Sequence, residues 1–156
     1  MADYLSVHEP HQIMIVQEDF ELVTALVQLL HAQEDQAIRR HVCQALYYIS
    51  NQPHNVLSMI KEPGIVEGLI SAIHGAQPNV EEPALLCLRN FAAHYDLQVH
   101  MASVTGCTEM LTSCLESKNP AVSKAAKEMM QMFSDNPDLM VDDYVPRVYG
   151  APRLAR

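Results

Sequence analysis

Apolar side chains recur at intervals of three and four along most of the chain, as in Leu22, Leu26, Leu29 and Leu30, or Ile65, Leu69, Ile70 and Ile73. That spacing lines up one stripe of an α-helix, whereas a half-buried strand would alternate at every second residue. The pattern therefore predicts amphipathic helices, each with one face to bury.

The helical segments also repeat. Three of them run over residues 37–51, 79–93 and 121–135, and Ile38, Val80 and Val122 follow one another at intervals of 42 residues. The same step links Leu46, Leu88 and Met130, then Ile49, Phe91 and Phe133. A second family shares it, because the segments that start at Gly64 and Gly106 match at Leu69 and Leu111 and at Ile73 and Leu115. The segment from Leu22 is their earlier counterpart, one residue out of step, and shorter segments around Val56 and Gln98 lie between the two families. Each unit thus reads as a short, a medium and a long helix. Asn79 and Asn119-Pro120 suit the starts of long helices, while Pro63-Gly64 and Thr105-Gly106 suit a break before the medium ones. Pro83 is expected about one turn into its helix, where a missing N–H costs least.

A unit of this kind cannot bury its apolar face alone, so neighbours must stack into a continuous core with atypical ends. Residues 19–135 are read as one domain of three units, 19–51, 52–93 and 94–135. Residues 1–18, with Ile13-Met14-Ile15-Val16, are expected to cap the first unit. Residues 136–156 are expected to form a partly disordered tail that begins like another short helix at Asp138. Its Asp142-Asp143-Tyr144 run and Arg147, Arg153 and Arg156 are a candidate linear motif.

Composition agrees with an all-α domain: 49% hydrophobic residues but only 6% aromatic, no Trp and 5 Gly among 156 residues. A net charge of −9 argues against a nonspecific hold on nucleic acid, which relies on Lys and Arg at phosphates. No apolar run is long enough for a membrane span and the N-terminal segment has no signal-peptide pattern, so a soluble intracellular protein, cytoplasmic or nuclear, is expected.

Chemistry-bearing motifs are sparse. Cys43, Cys87, Cys107 and Cys114 form no C-x-x-C pair and are expected to be reduced and mostly buried. His8 and His11 lack the H-E-x-x-H spacing that puts two metal ligands on one helical face, and no metal or other cofactor is expected. Met130 is read as core, whereas Met132 suits either core or an adaptable binding surface. No nucleophile elbow, phosphate-binding loop or dinucleotide fingerprint occurs, and an enzyme is not expected.

The period, the Gly before the medium helix and the Ala-Leu-x-x-Ile/Phe endings of the long helices resemble the armadillo repeat over about residues 20–135. HEAT repeats share the architecture with two helices per unit. The resemblance implies a right-handed α-solenoid whose long helices line a concave groove for an extended partner peptide. The asparagine that pairs with peptide backbone in that family maps onto Asn90, while its equivalents are Tyr48 and Met132. Gln44, Leu86 and Glu128 stand where importin-α has tryptophan, and Glu82-Pro83-Ala84 with Leu88-Arg89 looks more like the β-catenin branch, which implies adhesion or transcription partners. The groove face implied is Arg40, His41, Gln44 and Tyr48, then Leu86, Arg89 and Asn90, then Lys124, Glu128 and Met132. The function expected is a non-catalytic scaffold that binds an extended peptide. Its alternatives are an adaptor that forms oligomers through exposed solenoid ends and, more remotely, a small helical enzyme or ligand carrier.

Overall fold

Several helix starts in this chain fall where the sequence supplies a capping side chain, a proline or a glycine. The computed structural model describes residues 21–32, 35–74 and 78–139; the expected cap and the tail beyond Leu139 lie outside the described residues. Those described are all helical, with no strand among them: α1 (Glu21–Ala32), α2 (Gln36–Ser50), α3 (Pro53–Met59), α4 (Ile65–His74), α5 (Pro78–Ala92), α6 (Tyr95–Ser103), α7 (Cys107–Leu115) and α8 (Pro120–Ser134). A 3-10 turn, Pro137–Leu139, follows. The long helices begin at Gln36, Pro78 and Pro120 and end at Ser50, Ala92 and Ser134, so both boundaries keep the 42-residue step. The step also relates the starts of α3, α6 and the 3-10 turn, and those of α4 and α7.

Local chemistry explains these boundaries. The Asp35 side chain accepts hydrogen bonds from the Ala37 and Ile38 amides, and the Asn119 side chain accepts one from Ala121, satisfying donors that a helix start leaves unpaired. The middle long helix starts one residue before Asn79, at a proline suited to a first helical position. Pro83 consequently lies in the second turn of α5 and not at its edge. Having no N–H, it leaves the Asn79 carbonyl without its usual i+4 donor.

Gly64 and Gly106 adopt φ values of 83° and 91° immediately before α4 and α7, a left-handed conformation that side chains resist. A histidine from the preceding medium helix meets each glycine: His31 Nε2 lies 2.9 Å from the Gly64 carbonyl oxygen, and His74 Nε2 lies 3.4 Å from that of Gly106. Gly106→Ala is therefore expected to destabilise the fold by about 1–2 kcal/mol and lower the Tm by several degrees in a thermal melt. Gly64→Ala should cost at least as much, because the added Cβ would come 3.1 Å from His31 Nε2.

The long helices adjoin in order, α2 against α5 and α5 against α8, and the medium helices do likewise, α1 against α4 and α4 against α7. The short helices α3 and α6 rest on the long helices that precede them, α2 and α5. One core runs through these layers, and two of the sets linked by the repeat, Leu46, Leu88 and Met130 and then Ile49, Phe91 and Phe133, are buried in it throughout. Each such side chain contributes about 1.5–3 kcal/mol by leaving water. Met129 is buried beside Met130, while Met132 is half-buried at the core margin. Buried amides serve the long-helix ends: Asn55 Nδ2 donates to the Ile49 carbonyl at 2.9 Å and Gln98 Nε2 to that of Ala92 at 2.7 Å. Asn136 in turn donates to Gln98 Oε1 at 2.8 Å, tying the final 3-10 turn to α6.

All four cysteines are free thiols in this core. Burial pushes Cys43, Cys107 and Cys114 each up to about 12 and raises Cys87 further. Thiolates are the reactive form, so an aromatic disulfide reagent at pH 8 should titrate almost none in the folded chain and all four after denaturation. The linkage has a definite sign. Unfolded thiols ionise near 9.0 and folded ones only near 12, so stability should fall as pH rises above 9 in a series of urea melts.

No helix among the described residues is long and apolar enough to cross a membrane.

Candidate partner-binding cleft

Where α2 and α5 lie side by side, one face of each stays partly open. Arg40, Gln44 and Tyr48 follow one another at every fourth residue of α2, which places them along a single line of the helix. Asn79, Glu82, Pro83 and Leu86 hold the matching face of α5. These residues, with Tyr47 and Asn119, line a cleft of about 480 Å³, inside the range of about 300–1,000 Å³ common for ligand sites.

The apolar part of the cleft is Leu86, Pro83 and a pair of tyrosines, Tyr47 and Tyr48, whose rings lie 5.6 Å apart and tilted by 33°. Its polar groups are held by their neighbours. Gln44 Nε2 donates to the Tyr48 hydroxyl at 3.1 Å, and an Arg40 guanidinium nitrogen lies 3.3 Å from His41 Nε2. Glu82 Oε1 accepts from Asn119 Nδ2 at 2.8 Å, while Asn119 Oδ1 accepts from the Ala121 amide at 2.9 Å. One side chain thus caps α8 and fixes the acid of α5. Beside it, Ser117 donates to Glu81 at 3.1 Å. The Asn79 carbonyl, left without its helical donor by Pro83, belongs to a residue of the same wall.

Of the ten candidate residues, Arg40, Gln44, Tyr48 and Leu86 come together in this cleft. Arg89 and Glu128 pair with each other across α5 and α8 at 3.1 Å, with side chains 30% and 40% exposed. Such a half-exposed bridge is worth only about 0.2–1 kcal/mol. Both amide hydrogens of Asn90 have internal partners, since Nδ2 donates to Ser50 Oγ at 2.8 Å and to Asn51 Oδ1 at 3.0 Å. Asn90 therefore ties α5 to the end of α2. Met132 is half-buried, and His41 and Lys124 are exposed outside the cleft lining.

Tyr47, Asn79, Glu82, Pro83 and Asn119 complete the lining but were not among the candidates. Glu82 was within reach, for it lies one 42-residue step from Arg40 and one from Lys124. In the sequence Asn119 reads as a helix start; its contact with Glu82 depends on how α8 sits beside α5.

Chemically, the cleft offers a planar cation, a fixed carboxylate, amide and hydroxyl groups, and aromatic and aliphatic surface. Together they suit a chain that alternates backbone polar groups with apolar side chains. Among the described residues no group of three or more His, Cys, Asp or Glu could hold a metal ion. Comparison of the sequence with protein-family models and with curated proteins gives no match.

Proposed function

We propose that this chain is a non-catalytic protein-interaction module, an armadillo-like right-handed solenoid of three units that holds an extended segment of a cytoplasmic or nuclear partner. One observation carries the reading: Gln44, Tyr48 and Leu86, which the 42-residue repeat assigns to a common face of the long helices, line a single cleft between α2 and α5. The matching step in helix starts and ends supports the repeat architecture.

In this reading the partner's backbone meets Gln44 and the Asn79 carbonyl, its apolar side chains rest on Tyr47, Tyr48 and Leu86, and Arg40 and Glu82 set the charge at the rims. Asn90 acts from behind by fixing the spacing of α2 and α5, because its amide hydrogens are engaged by Ser50 and Asn51. Three units offer a short groove, so micromolar affinity for an isolated peptide is expected.

Selection from a displayed library of unstructured peptides tests this. Wild-type protein is expected to enrich peptides with a shared motif, and the Leu86→Arg variant, folded by circular dichroism, should bind none of them. Enrichment of the same peptides by both proteins would overturn the proposal.

A further inference from the structure

Because the long helices repeat every 42 residues, the interval between α2 and α5 can be compared, position by position, with that between α5 and α8. Tyr47 and Leu86 line the first interval. Their equivalents one step on are Arg89 and Glu128, which meet each other at 3.1 Å. The second interval is thus bridged by its own ion pair, where the first offers apolar surface to an incoming chain.

The first interval also carries two charges that do not pair. Arg40 of α2 and Glu82 of α5, themselves one step apart, line the same cleft. Arg40 lies beside the His41 ring and Glu82 accepts from the Asn119 amide through Oε1; among the described residues neither charge has an ion-pair partner. Holding equivalent places on adjoining helices, they share one level of the cleft, one turn before Gln44 and Leu86 and two before Tyr48. An extended chain crossing from α2 to α5 sends alternate side chains to opposite sides, so residues i and i+2 face one level about 7 Å apart. Packed helix axes lie about 8–10 Å apart, and the long side chains of Arg40 and Glu82 take up the difference.

We propose that the cleft selects a partner segment by one charge-ordered triplet, with an acidic residue at Arg40, a basic residue at Glu82 and an apolar residue between them turned onto Tyr47, Tyr48 and Leu86. The proposal rests on the peptide-binding reading above and adds the partner's charge order to it. A wholly acidic segment would set a like charge against Glu82, and a wholly basic one against Arg40, so both are rejected. Since Arg89 and Glu128 already satisfy each other, the order is read once, in the first interval.

Sequencing of peptides selected on the full chain from a displayed library of unstructured peptides tests the order. On the wild-type protein an acid and a base flanking one apolar residue are expected to be enriched, in a single N-to-C order. Arg40→Glu and Glu82→Arg together, in protein whose circular dichroism matches wild type, should enrich the triplet in the opposite order. Single substitutions give a second test, because Glu82→Gln keeps an oxygen for Asn119 to donate to. Replacing the base of a selected, labelled peptide by glutamine is expected to weaken its binding to wild type about tenfold, and its binding to Glu82→Gln by less than about twofold. Selected peptides without a charge order, lost on Leu86→Arg, would overturn the triplet and leave the cleft as the binding site. The same order selected by wild type and by the charge-reversed variant would do likewise. Peptides that still bind Leu86→Arg, or no enrichment on wild type, would overturn both.

Discussion

Truncating Phe91 to alanine is expected to destabilise the protein by about 3–5 kcal/mol, the largest effect of any single side chain considered. Phe91 is fully buried in α5, the one long helix that touches α2, α4, α6 and α8 at once. Little can collapse into the space it leaves, because neighbours on every side are held by their own contacts. Phe133 occupies the equivalent place in α8, whose partners among the described elements are fewer, so Phe133→Ala should cost less. Domains of this size have about 5–15 kcal/mol in total, and Phe91→Ala should show a large drop in its urea midpoint. A cost no greater than that of Phe133→Ala would contradict one continuous core centred on α5.

The second large effect is on binding. Leu86 is half-buried in the cleft, packed against the core on one side and open on the other. Leu86→Arg puts a second cation near Arg40 and removes apolar surface that a bound chain would cover. Affinity for a selected peptide is expected to fall at least tenfold, about 1.4 kcal/mol, with the Tm within a few degrees of wild type. Fluorescence anisotropy with a labelled peptide measures the first and a thermal melt the second. A loss of binding accompanied by collapse of the melt would instead mark Leu86 as a core residue.

Much of the helical architecture was legible because the core repeats. Ile38, Leu46 and Ile49 and their partners at 42-residue steps identify the long helices, and the glycines at 64 and 106 fall at the left-handed turns that require them. The start of α5 was less legible. A proline and an asparagine both suit a helix start, and only the position of the chain shows that Pro78 is used and that Pro83 consequently lies inside the helix. The candidate face was legible as far as helical spacing carries: four spacing brings Arg40, Gln44 and Tyr48 into line. What spacing cannot supply is the offset between adjacent helices. That offset decides that Asn90 meets Ser50 and Asn51, that Arg89 meets Glu128, and that Asn119 reaches Glu82. It arises from packing between units, which no single helix encodes. The exposure of Leu29 and Ile38 belongs to the same class, for their equivalents one step on are buried.

The most direct measurement is an NMR titration of the labelled full chain with a peptide selected on the wild-type protein. Amide and side-chain shifts are predicted to concentrate on Gln44, Tyr48, Leu86 and Asn119, with little change at Tyr95 and Val99 on α6. Shifts centred on α6, or on the Leu29 and Ile38 end, would contradict the cleft between α2 and α5 as the site of capture.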